Sequence, residues 1–82
     1  MYKLSSLSGK ELIKFLEFNR FHITRKKGSH VRLRAEDGRA TTVPLHGNNN
    51  IPKGLLRKII REDMEISFKE FLNLYSKYRK KT

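Results

Sequence analysis

Apolar residues recur every three or four positions in three parts of the chain, and this spacing predicts three helices. Ser8 and Glu11 have the spacing of a capping box before the first helix, and Ser67 and Glu70 have it before the last. Pro52 suits the first turn of the middle helix, where its missing N–H costs nothing. The predicted helices are Gly9–Asn19, Pro52–Glu62 and Phe68–Tyr78.

Between the first two helices the apolar pattern changes to a period of two, which predicts three short strands. Gly28 lies in the turn after the first strand, and Asp37-Gly38 is a hairpin signal between the second and the third. Pro44 ends the third strand, and a polar loop follows at residues 45–50. The predicted strands are Phe21–Arg25, His30–Arg34 and Arg39–Val43.

This order of elements predicts an α+β fold in which a three-stranded antiparallel sheet has helices on one face. The alternation of the second strand directs Val31 and Leu33 toward the helices. His30, Arg32 and Arg34 then lie together on the opposite, free face. A single domain is expected over residues 1–82, with a core at 8–62, an additional C-terminal helix at 67–78 and a basic tail at 79–82.

The charge of the chain is strongly positive, with 19 lysines and arginines against 8 acidic residues and a formal net charge of +11. Most of the excess lies between Arg20 and Arg61, where Glu36 and Asp37 are the only acids. Such a module suits a polyanionic partner: RNA, DNA, an anionic membrane or an acidic protein. Charge alone does not choose among these partners.

Several classes of protein are excluded by what the chain lacks. The absence of cysteine excludes a disulfide or thiolate–metal scaffold. No run approaches the roughly 18 apolar residues of a membrane span, and the N-terminus has no continuous apolar segment typical of a signal peptide. We therefore expect a cytoplasmic domain with one thin core, whose chemistry lies on its surface or in a shallow groove.

The free face of the sheet carries the residues best suited to chemistry. Metal-independent RNA cleavage needs a base for the 2′-OH proton, an acid for the leaving 5′-oxygen and cations for the charge that develops on the phosphate. His30, in a row with Arg32 and Arg34, supplies a base and a phosphate clamp. The general acid is left open among His46, Ser29 and a lysine.

The two other histidines give weaker indications of a catalytic role. His46 lies in the loop before the second helix, where packing or capping is slightly favoured over catalysis. His22 alternates with Phe21 and Ile23, which are predicted to be buried, so it lies on the free face as a bystander or a phosphate contact. The histidine spacing matches no zinc motif, and no metal or other cofactor is expected.

Five segments, in this order and at this spacing, carry a resemblance to a known family. They are SGKELIKFLE at 8–17, RKKGSH at 25–30, DGR at 37–39, VPLHG at 43–47 and IPKGLLRKI at 51–59. From about Ser8 to Phe71 the chain resembles the HicA (YcfA-like) family, the toxins of type II toxin–antitoxin pairs. The third helix is a departure, since shorter members of that family lack it.

The resemblance implies a double-stranded-RNA-binding-domain-like α-β-β-β-α fold and a ribosome-independent mRNA interferase that inhibits translation and growth. It gives the catalytic role to His30, the histidine of a Gly-Ser-His motif. The implied partners are mRNA and a HicB-type antitoxin that covers the active face, with a monomeric free toxin, a hetero-oligomeric complex and no membrane. RNA-binding or supporting roles are expected for Lys26, Lys27, Gly28, Ser29, Arg32, Arg34, His46 and Lys53.

Two other functions fit the same residues. A non-catalytic RNA-binding module of this fold would bind duplex RNA with little dependence on His30. A protein-interaction module would use the basic face only to meet an acidic partner, and its RNA binding would be weak.

Overall fold

The computed structural model describes residues 7–47 and 49–81 and contains one three-stranded antiparallel sheet in the order β1-β2-β3, with helices on one face. The predicted α+β class and the three-stranded antiparallel sheet are confirmed. The elements are α1 (Gly9–Phe18), β1 (Phe21–Lys27), β2 (His30–Ala35), β3 (Ala40–Pro44), α2 (Lys53–Lys58), a π-helical turn (Ile59–Asp63) and α3 (Phe68–Lys81).

The core lies between the helices and one face of the sheet. Strand β2 alternates strictly, so that Val31, Leu33 and Ala35 are buried and the residues between them are exposed. Phe15 of α1 is fully buried, and its ring centroid lies 5.1 Å from that of Phe71 of α3. The third helix therefore packs on α1 as part of the same core.

Four differences from the predicted elements have a clear physical reason, and the remaining boundaries shift by at most one residue. Strand β1 extends two residues beyond Arg25, because Lys27 still pairs with His30 of β2. Pro44 is the last residue of β3 and not its terminator; β3 is an edge strand, which tolerates a residue without an N–H. Helix α3 continues to Lys81, so the part of the predicted basic tail before Thr82 is helical, and Thr82 lies outside the described residues.

The fourth difference divides the predicted second helix into α2 and a π-helical turn. The Met64 N–H donates to the Ile59 carbonyl over 2.8 Å, a bond that spans five residues. The carboxylate of Asp63 accepts from the buried Thr41 hydroxyl at 2.8 Å and from the Lys58 ammonium at 3.3 Å. These bonds attach the end of the helix to β3.

The first helix begins as predicted. Its capping box is present in both directions: the Glu11 N–H donates to the Ser8 hydroxyl at 3.2 Å, and the Ser8 N–H donates to the Glu11 carboxylate at 3.0 Å. Gly9 follows directly and is buried against the end of β3. In the described part of the chain no helix has the length and apolar character needed to cross a membrane.

Replacement of Gly9 by alanine should destabilise the fold by about 1–3 kcal/mol, because the added Cβ would overlap the backbone carbonyl of Pro44. The matched control is Gly54→Ala in α2, where a Cβ meets nothing within 4 Å. That control should be neutral or stabilising by up to about 1 kcal/mol. Urea unfolding measures both, and equal free energies of unfolding would show that the contact between α1 and β3 relaxes freely.

Candidate functional site

The sheet presents to solvent the face that does not contact the helices, here called the outer face. The exposed side chains of β2 are His30, Arg32 and Arg34, as the alternation predicts. Directly paired residues share a face of a sheet. On this basis the outer face also carries His22, Arg25 and Lys27 of β1 and Thr42 of β3.

A β-bulge at Thr24 decides which residues of β1 reach the outer face. Ile23 pairs with Leu33, but the next pair is Arg25 with Arg32, so that Thr24 is an extra residue in the ladder. Simple alternation from Phe21 would direct Arg25 and Lys27 toward the helices. The bulge reverses the alternation and turns both cations outward.

The bulge also separates two neighbouring lysines. Lys27 pairs with His30 on the outer face, whereas Lys26 pairs with the buried Val31. Lys26 lines a groove on the helix side of the sheet, together with Ile13 of α1. The structure therefore places Lys26 away from His30. Ile23, predicted to be buried, is 38% exposed, because it lies in the edge strand β1 and lines the same open groove as Lys26.

A shallow cavity of about 300 Å³ lies beside His30 on the outer face. It brings together one imidazole, three cationic side chains and one hydroxyl, and no carboxylate of the described residues lines it. The lining residues are Arg25, Lys27, His30, Arg32 and Thr42. Such a set fits an anion with several oxygens, because guanidinium groups bind phosphate with paired hydrogen bonds.

Arg32 is held in place from both neighbouring strands. Its Nη1 donates to the hydroxyl of Thr42 at 3.1 Å, and its carbonyl accepts from the hydroxyl of Thr24 at 3.4 Å. The bond to Thr42 restrains the guanidinium itself, which therefore loses less conformational entropy when it binds a ligand. Thr42 and Arg25 are site residues that were not predicted from the sequence. The hairpin at Asp37-Gly38 sets the register that pairs Thr42 with Arg32. This turn is the feature of the sequence from which the place of Thr42 could have been predicted.

The turn before β2 presents His30. Gly28 has a φ of +59°, a left-handed conformation that glycine adopts without strain. The half-buried Ser29 accepts a hydrogen bond from the Leu45 N–H through its carbonyl at 2.5 Å, which attaches the turn to the segment after β3. The predicted supporting residue His46 directly follows Leu45 and therefore lies near this turn. It does not line the cavity beside His30.

Besides Lys26 and His46, two further predicted residues lie outside the cavity. Lys53 is the first residue of α2, in the helical layer, and Arg34 lies on the outer face beyond the cavity, opposite His22. Asn48 of the predicted polar loop lies outside the described residues. The cluster at His30 is therefore smaller than the predicted set and includes two residues from outside it.

The Asp37 carboxylate bonds within the β2–β3 turn itself. Asp37 accepts from the Arg39 N–H at 3.1 Å and from its Nε at 2.8 Å, and the backbone hydrogen bond from Arg39 holds the pKa of Asp37 below its usual range. Ala35 ends β2 five residues from His30, or about 17 Å along a strand, and Asp37 lies beyond it. Asp37 is therefore too far away to act with His30.

No group of three or more histidine, aspartate or glutamate side chains within residues 7–47 and 49–81 is arranged to hold a metal ion. The cavity beside His30 offers nitrogen donors that are mostly cationic, and these repel a metal ion.

A comparison with known protein families shows to which of them the chain is related. A family model described as the HicA toxin of bacterial toxin–antitoxin systems matches residues 9–64, about two thirds of the chain. The chain belongs to the HicA toxin family. This membership gives it the role of a toxin and implies an antitoxin partner. No curated protein matches the chain. The HicA match contains α1, all three strands, α2 and the π-helical turn, and it ends before α3.

Deletion of Thr24 from this HicA-family chain should preserve the fold, because every other β1–β2 pair keeps its register when the extra residue is removed. Deletion of His22 is the matched control. It lies in the regular part of the ladder, so its loss would turn the buried Phe21 outward and cost about 3–5 kcal/mol. Chemical unfolding compares the two deletions. Equal destabilisation would contradict the assignment of Thr24 as the extra residue.

Proposed function

We propose that this HicA-family toxin is a metal-independent endoribonuclease that cleaves mRNA on its outer face, with His30 as the general base. One observation carries the proposal: His30 lines a cavity with Arg25, Lys27 and Arg32, and no described carboxylate lines it. An exposed imidazole surrounded by cations fits a phosphodiester better than a neutral substrate. The resemblance of Gly28-Ser29-His30 to the motif of the family supports the same residue.

The reaction that fits this set is an intramolecular transfer of the phosphoryl group. His30 takes the proton of the 2′-hydroxyl, and the 2′-oxygen forms a bond to the adjacent phosphorus. The bond from phosphorus to the 5′-oxygen breaks, and its electron pair goes to that oxygen. The products are a 2′,3′-cyclic phosphate end and a 5′-hydroxyl end.

The cations of the cavity take separate roles in this proposal. Arg32, fixed by Thr42, binds the non-bridging oxygens and stabilises the charge that develops on them. Arg25 approaches from the neighbouring strand, opposite Arg32. Lys27 is paired directly across from His30, and its ammonium supplies the proton for the leaving 5′-oxygen. This assignment selects one of the three general acids that the sequence left open.

The proposal extends to the partners of the toxin. Cleavage of mRNA in the cytoplasm would inhibit translation and growth, and a HicB-type antitoxin would neutralise the toxin by covering the outer face. The free toxin would be a monomer and the complex a hetero-oligomer. The cationic outer face supports this arrangement, since one acidic cover would block both RNA binding and His30.

Replacement of His30 by alanine should reduce RNA cleavage at least about 100-fold, because the general base is lost. The measurement is cleavage of a mixed-sequence mRNA in EDTA, with detection of 2′,3′-cyclic phosphate ends. His30 is exposed, so the variant should unfold at the temperature of the wild type.

The matched control is His22→Ala, which removes an exposed histidine from the same face outside the cavity. Its cleavage should stay within a few-fold of the wild type. RNA binding without cleavage by the wild-type protein would reject the nuclease and leave the non-catalytic RNA-binding module. Equal losses in the two variants would reject the special role of His30.

Adjacent lysines provide a second test. Lys27→Gln should weaken binding of a 2′-O-methyl RNA, which cannot be cleaved, about tenfold, because a charged contact to phosphate is lost. The slope of log K against log salt should fall by about 0.7. Lys26→Gln removes the same charge one residue away on the helix side of the sheet and should change binding less than about twofold. Fluorescence anisotropy measures both, and equal effects would show that position on the outer face is unimportant.

A further inference from the structure

A second cavity, larger than the one at His30, lies where α2 meets the start of α3. Its volume is about 430 Å³, and four of the described residues line it: Arg57, Arg61, Ser67 and Phe68. We call it the α2–α3 groove. It lies in the helical layer, and none of these four residues belongs to the sheet.

Phe68 gives the α2–α3 groove an aromatic wall. Its side chain is 38% exposed although Phe71, one turn later in α3, is fully buried. Phe68 is not part of the buried core, and the structure gives it no aromatic neighbour among the described residues. An aromatic ring left open to solvent beside a cavity is available to a flat ligand.

The opposite wall of the α2–α3 groove is cationic. Arg57 of α2 and Arg61 of the π-helical turn both line it. Neither forms an ion pair with a residue that the structure describes. The nearby Asp63 is engaged by Lys58 and Thr41. Glu62 lines a shallow depression next to the groove together with both arginines.

We propose that the α2–α3 groove binds a nucleotide of single-stranded RNA, with its base stacked on Phe68 and its phosphate on Arg57 and Arg61. This inference deepens the proposed function and rests on it, because it assigns the same class of substrate a second contact. Aromatic rings combined with cations bind single strands with little regard to sequence. An acidic protein segment would also bind the arginines, but the flat aromatic face beside them favours a nucleotide, whose base stacks on such a ring.

The α2–α3 groove includes residues that lie outside the part of the chain matched by the HicA family model. The HicA match ends at residue 64, whereas Ser67 and Phe68 follow it. Helix α3 is anchored by Phe71 in the core, and this anchoring sets Phe68 across from the arginines. The C-terminal helix thus adds an RNA contact to a toxin whose cleavage site is elsewhere.

The dimensions of the molecule fix the RNA needed for a test. Its longest extent is 32 Å. A strand stacked at about 3.4 Å per nucleotide covers that distance in about ten nucleotides. An RNA of about 15 nucleotides therefore has the length to reach the α2–α3 groove while it occupies the outer face.

The experiment measures binding of a fluorescent single-stranded RNA of this length to the full chain carrying His30→Ala, which prevents cleavage. Phe68→Ala should weaken binding about tenfold, the loss expected for one base–aromatic stack. Phe68→Tyr, which keeps the ring, should stay within about twofold. Arg57→Gln combined with Arg61→Gln should weaken binding about tenfold. All these side chains are exposed, and thermal unfolding verifies that each variant is folded.

The matched control for charge is Lys69→Gln combined with Lys77→Gln, which removes two exposed cations of α3 outside the groove. Equal losses in the two double variants would overturn the proposal in favour of general electrostatic attraction, and so would unchanged binding by Phe68→Ala. Tighter binding of an oligoglutamate peptide than of RNA, with dependence on Phe68, would make the groove a protein-docking site. If the wild type fails to cleave mRNA but these differences in binding remain, the nuclease activity is rejected and the RNA contact in the groove is retained.

Discussion

The central strand β2 imposes the constraint on which the rest of the structure depends. Its side chains alternate between faces, and burial of Val31, Leu33 and Ala35 under the helices leaves no choice for the residues between them. His30 and Arg32 therefore reach solvent as a consequence of packing the core. A shift of one residue in the register of β2 would expose the core and bury the cations together. The free energy of core packing that stabilises the fold therefore also keeps the residues of the candidate site on the exposed face.

The bulge at Thr24 determines on which face of the sheet the cations of β1 lie. The run Arg25-Lys26-Lys27 would distribute its cations differently in a regular strand, with two of the three directed toward the helices. The extra residue turns two outward, beside His30, and directs Lys26 to the helix side of the sheet. Bulges re-aim side chains near functional sites in this way. The positive potential at His30 is therefore set by one unpaired residue in the edge strand β1.

The helical layer is organised by contacts between distant residues. The π-helical turn brings Asp63 to the buried Thr41 hydroxyl, and Arg39 donates to the Met64 carbonyl at 2.6 Å while its guanidinium lies 5.4 Å from the centre of the Phe21 ring. These bonds fix the end of the second helical segment on the sheet. Helix α3 can then fold back over α1, and the α2–α3 groove forms between surfaces that are far from the outer face.

By itself the sequence determined the class of the fold, the three helices, the three strands and the exposure of His30. Periodicity, capping boxes and turn residues depend on neighbours in the chain, so they can be recognised without a structure. Helix α1 and strand β2 illustrate this, since both begin at the predicted residue. The tertiary structure alone decided the bulge, the π-helical turn, the place of Thr42 beside Arg32 and the groove at Phe68. Each of these depends on pairing or packing between separate elements, and the free energy of such contacts leaves no periodic pattern in the sequence.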